Sequence, residues 1–136
     1  MRRLPARPLP ATTFVAGLSP RPPDGWCDDV DRAEWFDFGC DLFDAGCYFE
    51  AHELWELCWR AARALGNDDD ARFLQGLIKL AAAGVKLLAG AEAPRLSHVE
   101  AAARLLAAGP PRRGVSRASL DAAIAALRAG RRPVLP

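Results

Sequence analysis

Residues 47–60 read Cys-Tyr-Phe-Glu-Ala-His-Glu-Leu-Trp-Glu-Leu-Cys-Trp-Arg, bringing carboxylates, an imidazole, a guanidinium, two thiols and two indoles into one short stretch. Within it, His52-Glu53-Leu54-Trp55-Glu56 is His-Glu-x-x-Glu, one residue away from the His-Glu-x-x-His zinc motif. In that chemistry two side chains one helical turn apart ligate a metal and a glutamate acts as base on its bound water. His52 and Glu56 would be the ligands here, Glu53 the catalytic base, and His98, the other histidine, a third ligand. Two helical ligands and a remote histidine make a thin coordination shell, so a divalent metal is not the favoured cofactor. Thiol catalysis fares worse. Cys58 falls on the opposite side of a helix from His52, and Cys47 sits at a turn.

Positions four apart on an α-helix lie about 40° apart around its axis, so His52, Glu56 and Arg60 form one line. Phe49 and Glu53 flank that line on one side, and Tyr48, Trp55 and Trp59 on the other. The opposite arc, Ala51, Leu54, Leu57 and Cys58, is also apolar, and a helix apolar nearly all round is normally buried. Residues 70–89 repeat the arrangement, with a polar line of Gln75, Lys79 and Lys86 on an otherwise apolar helix. Two such helices joined by a short turn should pack antiparallel with their polar lines meeting, because an isolated buried charge costs several kcal/mol. The expectation is a Glu56–Lys79 or Glu53–Lys79 pair, with His52 and Gln75 completing the cluster.

This cluster supports three readings. In the favoured one it binds a small polar or anionic ligand, or a second copy of the chain in a homo-oligomer, with the tyrosine and tryptophans as core or as a pocket wall. The alternative is a metal-dependent hydrolase. The third makes the cluster a device that sets helix register.

The elements that must carry these groups are all helical, because no stretch alternates with period two. A first helix starts near 28–31 and runs to about 45, where Gly46 offers a left-handed cap. Further helices follow at about 48–65, 70–89, 94–108 and 116–129, separated by Gly-Asn-Asp, Gly90 and Gly109-Pro110-Pro111. Gly76 and Gly84 lie inside the third, which close approach of a neighbouring helix would explain. Residues 1–27, with six prolines by Pro23, form an extended or flexible tail on the domain surface, and 28–132 form the domain. The fold class is therefore all-α, a single-domain bundle of about five helices with a proline-rich N-terminal tail.

At 136 residues, with 51% hydrophobic and 26% charged, the chain is long enough for one self-sufficient core. A net charge of +1 gives no reason to expect nucleic acid or a membrane as partner. Four cysteines without Cys-x-x-Cys spacing, and a start broken by prolines, fit a cytoplasmic protein with free thiols. Charge is unevenly placed: eleven acids between Asp24 and Glu56 face Arg32 alone, and eight arginines from Arg95 onward face Glu100 and Asp121. These regions are expected to pack together and neutralise each other. Arg112, Arg113, Arg131 and Arg132 read as solvated.

The block 43–60, Phe-Asp-Ala-Gly-Cys-Tyr-Phe-Glu-Ala-His-Glu-Leu-Trp-Glu through Trp59-Arg60, is followed at 73–82 by Phe-Leu-Gln-Gly-Leu-Ile-Lys-Leu-Ala-Ala. Together they resemble domain-of-unknown-function family 309, small all-helical proteins, over about residues 30–110. The resemblance implies a helical fold and importance for His52, Glu53, Glu56 and Gln75. Some members carry the label "predicted metal-dependent hydrolase", but the family supplies no established reaction.

Overall fold

The computed structural model describes residues 2–135. Five α-helices follow one another: α1 (Trp35–Asp44), α2 (Tyr48–Ala64), α3 (Asp68–Leu88), α4 (Glu92–Ala107) and α5 (Arg117–Arg128). A single 3-10 turn, Arg32–Glu34, leads into α1, and no strand occurs among the described residues. The all-α bundle expected from the periodicity is the fold observed.

The largest boundary shift is at α1, which starts at Trp35 rather than near 28–31. Residues 25–30 instead form turns, closed by Asp28 N–H to Gly25 O and Val30 N–H to Cys27 O, and the Trp35 indole donates to Val30 O at 3.1 Å. Helix α4 starts two residues before Pro94, which still stands in the first turn, where a missing N–H loses no intrahelical bond. The α1–α2 junction follows the expected chemistry. Gly46 has φ +85°, its N–H donates to Phe43 O, and Cys47 N–H reaches back to Leu42 O, which together close the last turn of α1.

Connections of three residues force α1/α2, α2/α3 and α3/α4 to run antiparallel as neighbours. Helix α3 is central, touching α2, α4 and α5. Leu54, Trp55, Leu74, Leu77, Leu80, Leu106, Leu120 and Leu127 fill the core between the helices.

Glycines mark the tightest approaches, as the sequence suggested. A Cβ on Gly84 would meet the ring of Tyr48, and one on Gly76 would lie 2.6 Å from Leu106 Cδ2. On α1, a Cβ on Gly39 would lie 2.5 Å from the Trp55 Nε1. The missing side chains let aromatic rings of α2 lie directly on the backbones of α1 and α3.

The N-terminal segment contains no helix, yet it is bonded to the bundle. The buried Asp41 carboxylate accepts from the N–H groups of Arg3 at 2.7 Å and Leu4 at 2.8 Å, with the Arg2 guanidinium at 3.5 Å. The buried Glu50 carboxylate accepts from the Thr13 hydroxyl and from Phe14 N–H at 3.0 Å. At the other end, Leu135 N–H donates to the Asp44 carboxylate.

Replacing Gly84 by alanine adds about 1 kcal/mol of helix propensity, but it forces a methyl group onto a fully buried ring, an overpacking cost of about 1–3 kcal/mol. The expected outcome for Gly84→Ala is a net loss on the order of 1 kcal/mol in urea denaturation. An unchanged or higher midpoint would show that Tyr48 gives way freely.

Candidate functional site

The conspicuous residues of α2 separate into three environments. Tyr48 and Trp55 are fully buried, packed on Phe43 with ring centroids 5.3 and 5.5 Å apart. The Trp55 indole donates to Phe36 O at 3.4 Å, so these two rings belong to the core and line no cleft. Trp59 is half-buried under the Arg63 guanidinium, 5.2 Å from its ring centroid.

Phe49, Glu53, Glu56, Leu57 and Arg60 form the second environment. They line a cleft of about 230 Å³ closed on its far side by the 21–28 segment, including Arg21, Trp26 and Cys27. Glu56 stands between two residues of its own helix, His52 Nε2 at 3.9 Å and the Arg60 guanidinium at 3.8 Å, distances too long for hydrogen bonds.

His52 faces the third environment, stacked on Phe49 at 6.4 Å. Its Nδ1 atom is buried without a hydrogen-bond partner. Lys79 and Lys86 of α3 and His52 of α2 lie near enough to His98 of α4 to act on it: burial pushes the His98 pKa below the ordinary 6.5, and these three neighbours push it further the same way.

The expected Glu–Lys79 pair is not formed. Glu56 is engaged along its own helix, Glu53 points into the cleft under the 21–28 segment, and Lys79 has no ion pair among the described residues. With Tyr48 seated on Gly84, the antiparallel register brings Lys79 level with residue 53, so it is the direction Glu53 takes, into the cleft, and not the register that leaves the pair unformed. Gln75 is exposed on α3 and makes no side-chain hydrogen bond among the described residues.

Metal ligation needs converging donors. His52 and Glu56 adjoin, but no group of three His, Cys, Asp or Glu side chains that could hold a metal ion exists among the described residues. Burial pushes the Cys47 and Cys58 thiols up to about 11 and that of Cys40 up to about 12, so all three stay protonated at neutral pH.

Sequence reasoning missed the buried acids. Asp41, Glu50 and Asp70 are the charged residues hidden in the molecule, and each holds a segment that lacks helical structure of its own. Asp70 binds the α4–α5 connection. Arg113 donates to it at 2.9 and 2.7 Å, Arg112 approaches at 3.4 Å, and these hydrogen bonds hold the Asp70 carboxyl below the ordinary 3.8. Arg113 adopts φ +57°, in the left-handed region, and its guanidinium covers the Phe36 ring at 4.9 Å. Arg112 and Arg113 are thus held rather than merely solvated, and Arg132 lies against Gly46 and Tyr48. The acids of α1 and the segment before it find partners chiefly in Arg2, Arg3 and Arg7, not in the arginine-rich C-terminal part. The available signal was local: Asp41, Asp44 and Glu50 lie in apolar helical surroundings, where a carboxylate must find donors.

Comparison with known proteins bears on the same helices. Residues 36–94 match the family model described as Domain of unknown function (DUF309), the family that the two sequence blocks resemble. The match spans α1 to α3 and stops before His98. No curated protein and no solved structure matches the chain.

The pKa of His98 makes a prediction with a definite sign. The unfolded chain takes up this proton near pH 6.5, and the folded chain only at lower pH. Between those values the unfolded state holds more protons, so stability falls as pH drops below about 6.5. Lys79→Met removes one cause of the shift. His98 should then titrate closer to 6.5 in an NMR pH series, and the acid-side loss of stability should become shallower. A His98 titration identical to the parent's would remove Lys79 from its surroundings.

Proposed function

Because the family that residues 36–94 match has no assigned reaction, we propose a function from the groups themselves: a small-ligand-binding module that holds an anionic group where α2, α3 and α4 meet. One observation carries this reading. Lys79 and Lys86 of α3 both lie near enough to His98 of α4 to act on its charge, as does His52 of α2, and neither lysine forms an ion pair among the described residues.

Burial lowers the pKa of His98 most, and the charges of Lys79 and Lys86 add to it in the same direction. Glu56 lies beside His52 and Arg60 and reaches neither lysine within 4.0 Å. A bound phosphate or carboxylate would offset the lysine charges and could accept charge-assisted hydrogen bonds from both ammonium groups and from the imidazoles. It would also favour the protonated form of His98, so binding and proton uptake are coupled.

Metal-assisted hydrolysis with Glu53 as base fits these groups less well. Its ligand pair, His52 and Glu56, has no third protein donor among the described residues.

The test is a titration of the full chain with inorganic phosphate and with pyrophosphate, following the His52 and His98 imidazole signals. Binding should raise the His98 pKa, and the double variant Lys79→Met/Lys86→Met should bind at least about tenfold more weakly, as loss of charge-assisted hydrogen bonds implies. Imidazole signals indifferent to both anions, or a double variant of unchanged affinity, would defeat the reading.

A further inference from the structure

One cavity lies between the proline-rich N-terminal segment and residues of α1 and α2, with no histidine in its lining. It measures about 520 Å³, within the range of about 300–1,000 Å³ usual for small-molecule sites. Pro8, Pro10, Pro22, Trp26, Val30 and Phe38 belong to its apolar wall. Proline rings hold their shape without losing side-chain freedom on binding, so a wall built from them is preorganised. The segment that roofs the cavity is anchored on both sides, by Asp41 at residues 3 and 4 and by Glu50 at residues 13 and 14.

Four charged residues reach this wall: Arg7, Arg21, Asp29 and Glu50. Three are already matched. Arg7 pairs with Asp29 at 3.2 Å and with Glu34 at 3.5 Å, and Glu50 accepts from Thr13 and Phe14. Arg21 is the exception. Its guanidinium lies 5.2 Å from the Phe14 ring centroid and 5.4 Å from that of Phe49, and it forms no ion pair among the described residues. Ring faces hold a guanidinium in place while leaving its N–H groups free to donate in the ring plane.

We infer that this cavity binds an apolar carboxylate, with an aromatic or aliphatic body against the proline and tryptophan wall and its carboxylate on Arg21. The site is separate from the anion site around His98, and neither depends on the other. An apolar body explains the wall, and the Arg21 guanidinium, which forms no ion pair among the described residues, supplies the donors for the carboxylate.

The probe is 2-naphthoate, with uncharged 2-naphthamide as its control, added to the full chain and followed by two-dimensional NMR. Naphthoate should shift the Trp26 indole N–H, assigned by its loss in Trp26→Phe, together with amides around residues 9–12. Naphthamide should bind at least fivefold more weakly. Arg21→Gln should cost naphthoate a similar factor and make the two probes equal, with the melting temperature unchanged. A second variant, Ala11→Trp, places a bulky ring at the wall and should abolish both interactions. Shifts confined to His52 and His98, no shifts at all, or undiminished naphthoate binding by Arg21→Gln would each overturn the assignment.

Discussion

The Tyr48 ring lies on the bare backbone of Gly84, and the rest of the arrangement follows from that contact. A fully buried phenol ring cannot slide along a helix without opening a void or meeting a Cβ, so it sets the register of α2 against α3. Register in turn decides which polar groups share a level. Lys79 comes level with residue 53 of α2, and α4 is carried in by its own contact of Leu106 on Gly76. Glu53 at that level turns to the cleft under the 21–28 segment and Glu56 stays beside His52 and Arg60 of its own helix, so Lys79 forms no ion pair among the described residues.

Buried carboxylates complete the molecule in a different way. Asp41 and Glu50 have no cationic partner inside the bundle that could satisfy both oxygens, and they take backbone N–H groups from the N-terminal segment. That choice turns a proline-rich stretch into a wall. Proline residues donate nothing, so the donors come from Arg3, Leu4, Thr13 and Phe14 between and around them. Asp70 does the same for the α4–α5 connection, where two guanidinium groups hold Arg113 in a backbone conformation that a residue with a side chain seldom adopts.

Much of this could be read in advance. Five helices, their breaks at Gly46, the Gly66-Asn67 turn and Gly90, and close approaches at Gly76 and Gly84 all follow from periodicity and from what glycine does to a helix. Two resemblance blocks pointed to the family matched at residues 36–94. The sequence also singled out His52, Glu53, Glu56 and Lys79 as polar groups in apolar surroundings, and the structure separates them: Glu53 and Glu56 line the cleft under the 21–28 segment, while Lys79 forms no ion pair among the described residues. Their pairing was not legible, because helical periodicity puts a residue on a face without saying which distant segment that face will meet.

The amino-acid order alone determined the helices and their breaks, and it singled out the polar residues on α2 and α3, because these depend on neighbours three and four positions away. Tertiary structure decided that Tyr48 and Trp55 are core, that Lys79 forms no ion pair with Glu53 or Glu56, and that Asp41 and Glu50 hold the N-terminal segment over a cavity. Those outcomes join residues far apart in the chain, and only the packed core, by fixing distances across it, selects among the partners that each charge could have had.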